Sequence, residues 1–156
     1  HGGGQEYGLR SGTVNLPMAV SMVKSIKLTM GRLDEARRKL NKMNQSVRTF
    51  LEEFRGVYIN SPKDSAPQII NVSFPGVKGE VLVNAFSKHG VMISTTSACS
   101  SKRGKLNEVL LAMGVPDARI EGSIRISMGV HTTEEDIQRF KEVFEQVYEE
   151  VKELLK

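Results

Sequence analysis

Residues 123–155 read SIRISMGVHTTEEDIQRFKEVFEQVYEEVKELL, and this stretch contains two different hydrophobic periods side by side. Apolar and polar residues alternate from Ser123 to Met128, which predicts a strand with one face on a core. The apolar residues that follow recur at intervals of three and four, which predicts a helix with one buried stripe. They are Ile137, Phe140, Phe144, Val147, Val151 and Leu154. A strand followed by an amphipathic helix indicates a fold in which helices pack on a sheet.

Helix and strand signals alternate through the rest of the chain. Apolar residues recur every three or four positions from Pro17, which predicts one long helical arm over residues 17–55 with a bend at Gly31. Shorter patterns predict strands at 57–59, 69–74 and 91–93 and helices at 78–90 and 106–113. The sequence therefore predicts an α+β fold. A small, mostly antiparallel sheet of three to four strands would follow the helical arm, with helices covering one face and the C-terminal helix capping it.

The composition of the sequence limits the classes of protein to which the chain can belong. With 156 residues, 39% of them hydrophobic, the chain is long enough for one globular domain with a real core. The formal charge is +4, but Lys and Arg are spread out and no aromatic-plus-basic motif is present, so we expect no direct nucleic-acid partner. The sequence contains no bilayer-spanning apolar stretch and no signal-peptide pattern, which predicts a cytoplasmic protein without a membrane partner. A single cysteine cannot form an intramolecular disulfide and fits a reducing compartment.

That cysteine, Cys99, lies in a run of small polar residues and is followed by three cations, Lys102, Arg103 and Lys105. Nearby cations lower the pKa of a thiol, and the thiolate is the nucleophilic form. From the residues alone, Cys99 is either a nucleophile or an inert thiol. Arg103 follows it by four positions, too close for a Cys-x5-Arg phosphate loop. We expect no metal site, because a closed zinc site needs four ligands and no histidine has ligand spacing to Cys99.

Two further segments carry groups suited to binding anions. Residues 2–12 are rich in glycine and lead through Arg10, Ser11 and Thr13 into the predicted helical arm. Such a segment holds a phosphate through amides, hydroxyls and a helix N-terminus, although an ordinary glycine-rich loop has the same composition. Arg125 lies between Ile124 and Ile126, so it faces away from the core. It is either a solvent-facing charge or, at a cleft, a two-pronged clamp for a carboxylate.

Taken in order, these segments resemble the C-terminal part of cysteine desulfurases of the NifS/IscS type, in the class V aminotransferase group of fold-type I pyridoxal-phosphate enzymes. The resemblance runs over essentially the whole chain. The matching blocks are HGGGQE (1–6), GLRSGTVN (8–15), NVSFPGVKGE (71–80), SACSS (97–101), VLLAMG (109–114), SIRISMG (123–129) and TTEE (132–135).

The resemblance implies a role for individual residues. Cys99 matches the cysteine that takes sulfur from L-cysteine as a persulfide, leaving alanine, and Arg125 matches the arginine that holds the substrate carboxylate. Thr13 matches the threonine that contacts the pyridoxal-phosphate (PLP) phosphate of the partner subunit in a homodimer, with Arg10 a second candidate beside it. Residues 1–16 would then be the segment for cofactor phosphate and dimer contact, and residues 17–156 the C-terminal small domain with its long connecting helix. A sulfur-acceptor protein, either an iron–sulfur scaffold or a tRNA-thiolating enzyme, is the implied partner.

The sequence also departs from the family pattern. The family's cofactor lysine lies upstream of the HGGGQE block, and this chain begins after it, so we expect the chain alone to bind no PLP and to be inactive. Residues 104–107 read GKLN in place of the family's common Leu-Glu-Pro-Ser. Two alternatives remain open at this stage. One is a cofactor-free sulfur-carrier or binding module that uses Cys99, and the other is a selenocysteine lyase or another enzyme of the class V aminotransferase group.

Overall fold

The computed structural model describes residues 2–95 and 107–155. The chain divides into two compact units, residues 1–36 and residues 37–156. The first unit contains a 3-10 turn at Gln5–Gly8 and helix α1 (Leu16–Met30), and α2 (Leu33–Leu51) begins in it and continues into the second. The remaining elements are β1 (Tyr58–Ile59), β2 (Ile69–Ser73), α3 (Gly79–Lys88), β3 (Ser94–Thr95), α4 (Glu108–Ala112), α5 (Asp117–Glu121), β4 (Ser123–Ser127) and α6 (Glu134–Val151), with a final 3-10 turn at Lys152–Leu154.

A four-stranded sheet in the order β1-β2-β4-β3 organises the second unit, and every pair in it is antiparallel. In its central pair, Ile70 lies opposite Ile126 and Val72 lies opposite Ile124. Residues directly opposite share one face of a sheet, so these four side chains, all buried, form its apolar face. The predicted α+β fold with a small antiparallel sheet is confirmed.

Three helices share the core with that apolar face. Buried side chains from α2, α3 and α6 form one cluster with the strand residues. Phe144 of α6 is at its centre, because its ring contacts those of Phe50, Phe54, Phe74, Phe86 and Phe140 at centroid distances of 4.9 to 6.0 Å. The prediction that helices cover one face of the sheet is therefore confirmed.

The C-terminal helix begins where its capping sequence predicts. The Thr133 hydroxyl accepts a hydrogen bond from the Asp136 amide at 3.1 Å, and the Asp136 carboxylate accepts one from the Thr133 amide at 2.8 Å, which completes a capping box. The predicted stripe is buried as far as Val151, but the prediction was wrong for Leu154, which is exposed. Since the chain tightens into a 3-10 turn at Lys152, the helical phase shifts and Leu155 packs on the core instead.

The predicted helical arm is two helices rather than one. Helix α1 ends at Met30, with Gly31 as its C-cap, and α2 begins at Leu33. Pro17 lies in the first turn of α1 as predicted, and the Asn15 side chain accepts a hydrogen bond from the Met18 amide. Beyond Leu51 the chain makes tight turns up to Gly56, which has a positive φ of 80°, so the predicted end at residue 55 was too late.

Two short elements differ from the prediction. The strand predicted at 91–93 lies instead at Ser94–Thr95, because the Val91 amide donates to the carbonyl of Phe86 and closes the turn after α3. Helix α5 was not predicted, since five residues are too few for an apolar period to be recognised. This short helix leads directly into β4.

Candidate functional site

Arg125 lies in the middle of β4 on the face of the sheet that points away from the core. Its side chain is exposed, whereas those of Ile124 and Ile126 on either side are buried, as the alternating pattern predicts. Within residues 2–95 and 107–155, its guanidinium has no hydrogen bond or ion pair. An exposed guanidinium without a partner is free to bind a planar anion such as a carboxylate through two parallel hydrogen bonds.

The neighbours of Arg125 make this face polar. Asn71 of β2 and Ser94 of β3 lie directly opposite it, and Ser73 and Ser123 form the adjacent pair. Asn71, Ser73 and Ser123 are buried although they lie on the face away from the core. We call this side of the sheet, with Tyr58 and Asn60 at its β1 edge, the polar face.

Buried polar groups need hydrogen-bond partners, and the polar face provides them through a continuous network. The Asn71 side chain donates to the backbone carbonyl of Ile124 at 3.0 Å and accepts from the Asn60 side chain at 2.6 Å. The Asn60 side-chain nitrogen also lies 2.6 Å from the Ser73 hydroxyl. The side-chain oxygen of Asn60 in turn accepts a hydrogen bond from the guanidinium of Arg119, on α5.

Arg119 links α5 to the β1 edge of the sheet. Its guanidinium carbon lies 4.7 Å from the centroid of the Tyr58 ring, a distance typical of a cation–π contact. Its Nε atom is buried and has no hydrogen-bond partner among the described residues. Two arginines thus lie on the polar face: Arg119 is held in a network, and Arg125 has no partner within residues 2–95 and 107–155.

Close packing fixes the start of β4 against the loop after β2. The amide of Phe74 donates to the carbonyl of Gly122 at 3.0 Å. A Cβ atom at Gly122 would overlap the carbonyl oxygen of Phe74 and lie 2.7 Å from that of Val77. The residue immediately before the strand that carries Arg125 is therefore a position where only glycine fits.

The N-terminal unit contains an open concavity of about 460 Å³, lined by Gly2, Gly3, Gly4, Gly8, Leu9 and Ser11. The wall is tightly packed at Gly2, because a Cβ there would overlap the Ser11 hydroxyl, would lie 2.5 Å from Ser11 Cβ and would displace this side chain. The following turn is braced by the Gly12 amide, which donates to the Gln5 side chain at 3.3 Å. This polar hollow precedes the N-terminus of α1.

Arg10 and Thr13, predicted from this segment, are both exposed. Arg10 makes one long hydrogen bond, 3.4 Å, to the backbone carbonyl of Ser11. The Thr13 hydroxyl has no partner within the part of the chain that the structure describes. Both groups are thus available to an anion, and they belong to the first unit, whereas Arg125 belongs to the second. The predicted nucleophile Cys99 lies outside the described residues.

Residues 2–95 and 107–155 also bear on metal binding and on membrane insertion. No group of three or more His, Cys, Asp or Glu side chains there could hold a metal ion. None of the helices in these ranges combines the length and the apolar composition needed to cross a membrane.

Comparison with known proteins assigns the class. The family model of class-V aminotransferases matches residues 3–140, and the chain belongs to this family. Within it, the chain is similar to proteins named cysteine desulfurase IscS, for example that of Clostridium botulinum strain Hall, with 36% identity over 99% of this chain. A NifS/IcsS protein homolog of Lactobacillus delbrueckii subsp. bulgaricus is 35% identical over 95% of the chain.

Solved structures agree with this assignment. A NifS-like protein superposes with a TM-score of 0.78 at 34% identity, over 99% of this chain and 38% of that structure. A NifS-like protein from Rickettsia africae gives a TM-score of 0.78 at 28% identity, over 95% of this chain and 39% of that structure. The chain spans about 40% of the length of the curated relatives it matches. Its sequence is therefore of the NifS/IscS type, as the motifs predicted.

Proposed function

We propose that this chain is the C-terminal part of a PLP-dependent cysteine desulfurase, which takes sulfur from L-cysteine and leaves alanine. The polypeptide that contains it is called the parent enzyme below. The observation that carries the proposal is the exposed guanidinium of Arg125 on the polar face, which has no partner among the described residues, in a chain similar to named cysteine desulfurases over 99% of its length. Arg125 would hold the substrate carboxylate through two parallel hydrogen bonds.

Cys99 is proposed as the residue that accepts the sulfur. Its thiolate would attack the sulfur atom of the bound L-cysteine, so that a new S–S bond forms on Cys99 as the substrate C–S bond breaks. The electron pair of the broken bond stays on the substrate carbon, which takes up a proton and becomes the methyl group of alanine. In the sequence, Cys99 is followed by the cations Lys102, Arg103 and Lys105, and positive charge close to a thiol favours its thiolate form.

The described residues fit one end of the cofactor, its phosphate. The exposed Thr13 hydroxyl and Arg10 guanidinium follow a glycine-walled hollow in which a side chain at Gly2 would overlap Ser11. Hydroxyl, guanidinium and exposed backbone amides are the groups that bind phosphate. We propose that Thr13 and Arg10 hold the phosphate of PLP bound in the partner subunit of a homodimer. When bound, the cofactor supplies the electron sink that the breaking C–S bond requires.

A persulfide is useful only if a second protein receives the sulfur. We propose that the parent enzyme works in the cytoplasm and delivers the sulfur to an acceptor, either an iron–sulfur scaffold or a tRNA-thiolating enzyme. The chain of 156 residues by itself is proposed to be inactive and to bind no PLP, since none of its lysines lies in the family's cofactor position.

Sulfide and alanine production by the parent enzyme test these assignments. With L-cysteine and a reductant, Cys99→Ala should abolish both products, whereas Cys99→Ser tests whether the sulfur atom itself is needed. Val109 is exposed on α4 and has no part in the proposed chemistry, so Val109→Ala serves as the control and should leave turnover unchanged. Full turnover by Cys99→Ala would overturn the assignment of the nucleophile. Turnover of selenocysteine alone would favour a selenocysteine lyase.

A further inference from the structure

The polar network around Asn71 has a defined direction. Arginine only donates hydrogen bonds, so the side-chain oxygen of Asn60 must face Arg119. The NH2 group of Asn60 must then face Asn71. A backbone carbonyl only accepts, so the Asn71 NH2 group must face Ile124 and its oxygen must face Asn60. Arg119 at one end of the network and the Ile124 carbonyl at the other thus require compatible orientations of the two side-chain amides. Each amide is therefore held in a single orientation.

This network ends on the peptide group that leads into Arg125. The carbonyl that Asn71 binds belongs to Ile124, the residue immediately before it. Asn71 also lies directly opposite Arg125 across the β2–β4 pair, where side chains on one face are neighbours. The backbone amide of Asn71 lies 2.8 Å from the Ser61 hydroxyl, so a second contact holds the strand that carries Asn71.

We propose that Asn71, held in place by Asn60 and Arg119, is a positioning residue for Arg125. It fixes the Ile124–Arg125 peptide, and with it the direction in which the guanidinium leaves the sheet. Two parallel hydrogen bonds to a carboxylate tolerate little angular error, so a loosened strand weakens carboxylate binding before it affects other steps. The proposal rests on the proposed function, because it takes Arg125 as the clamp for the substrate carboxylate.

The test compares two substrates of the parent enzyme, L-cysteine and its methyl ester, which lacks the negative charge. The kcat/KM for L-cysteine divided by the kcat/KM for the ester measures how much the negative charge of the carboxylate contributes to binding and turnover. Asn71→Ala should lower this ratio by about tenfold, equivalent to about 1.4 kcal/mol. The loss should come from a higher KM for L-cysteine, with kcat and the rate with the ester unchanged. Arg119→Met, which leaves Asn71 itself intact, should change the ratio in the same direction by a smaller factor.

A second buried asparagine provides the matched control. Asn44 donates to the carbonyl of Pro67 at 2.9 Å and accepts from Arg48 at 2.7 Å, so its contacts are of the same kind as those of Asn71. It is also buried to the same degree, with 8% exposed against 7%. Asn44→Ala should lower the melting temperature but leave the substrate ratio unchanged.

The outcomes separate this inference from the proposed function. If Arg125→Ala leaves the ratio unchanged, Arg125 is not the carboxylate clamp, and its proposed role and the positioning role of Asn71 both fail, while the desulfurase activity itself is still tested by sulfide and alanine production. If Arg125→Ala lowers the ratio but Asn71→Ala and Arg119→Met do not, only the positioning role is overturned. The same conclusion follows if Asn71→Ala lowers the rates with both substrates equally, because that is the result of a purely structural loss. Should Asn71→Ala fail to fold, Arg119→Met decides alone.

Discussion

At the scale of single residues, Gly122 is a position where adding one carbon atom should strongly lower the stability of the fold. Its φ of −92° suits any residue, so glycine is needed there for space and not for conformation. Because a Cβ would overlap the Phe74 carbonyl oxygen and approach that of Val77, the backbone after β2 would have to move. We expect Gly122→Ala to lower the free energy of unfolding by about 3 kcal/mol or more, measured by urea denaturation.

Gly129 is the control for that substitution. It lies just beyond the other end of β4, and a Cβ there would have nothing within 4 Å. Gly129→Ala should change the free energy of unfolding by no more than about 0.5 kcal/mol. If both variants were equally stable, the close approach at Gly122 would not be a structural requirement.

The residues of the candidate site differ in how far the sequence predicts them. The exposure of Arg125 follows from the local alternation with Ile124 and Ile126, and the structure confirms it. The partners Asn60, Asn71 and Arg119 were missed, because Arg119 and Asn60 are 59 positions apart in the chain. Such a contact depends on strand pairing, which no local pattern specifies. The one local signal was Asn71, in the middle of the strand predicted at 69–74, where asparagine is rare.

At the scale of whole elements, long periodic segments were predicted well and short ones poorly. Helix α6 has a sustained apolar period and a capping box, and both signals place its start correctly. By contrast, Val91, Met92 and Ile93 were predicted as a strand because they are apolar, whereas pairing with β4 occurs at Ser94 and Thr95. Pairing depends on where the preceding helix ends, and a short apolar run does not contain that information.

An ion pair joins α2 to the start of α6 and gives a prediction about pH. Lys42 Nζ lies 2.6 Å from a Glu134 carboxylate oxygen, and this hydrogen bond, with the attraction between the charges, lowers the pKa of Glu134 below its usual 4.5. The same contacts raise the pKa of Lys42. A carboxylate with a lowered pKa stabilises the fold above its unfolded-state pKa, and that contribution is lost as the pH falls through the folded-state value.

Glu134→Gln should therefore lower the free energy of unfolding slightly at pH 7, by an amount that shrinks in high salt because the pair is exposed. The difference from the unsubstituted chain should disappear as the pH falls through the folded-state pKa of Glu134, below which the carboxylate is protonated in both states. Urea denaturation at a series of pH values measures this. A difference that persists unchanged at pH 2 would mean that the glutamate acts through packing and not through charge.

At the scale of the whole molecule, the sheet separates two environments. Its apolar face packs on α2, α3 and α6 around the Phe144 cluster, and its polar face presents Arg125 and the Asn71 network. Both faces are formed by the same two strands, β2 and β4, because neighbouring side chains along a strand point to opposite sides of the sheet. A rigid core directly behind the polar face is suited to holding Arg125 in a fixed direction.

Helix α1 has no buried side chain in the part of the chain that the structure describes. Its large apolar side chains are between 52 and 70% exposed and lie on all sides of the helix: Leu16, Met18, Val20, Met22, Val23, Ile26, Leu28 and Met30. A helix that is apolar all round is typical of one buried on every side. The isolated chain of 156 residues should therefore bind a hydrophobic dye and self-associate.

The double substitution Met22→Ser and Ile26→Ser should reduce both effects, because it removes two of the larger apolar side chains from one side of α1. Dye fluorescence and sedimentation velocity of the isolated chain measure the change. Val109→Ser is the matched control, since Val109 is 67% exposed but lies on the short helix α4 of the second unit. It should leave dye binding and association unchanged. A monomeric chain that binds no dye would show that the α1 surface is covered in solution by a packing of the chain that differs from the one described.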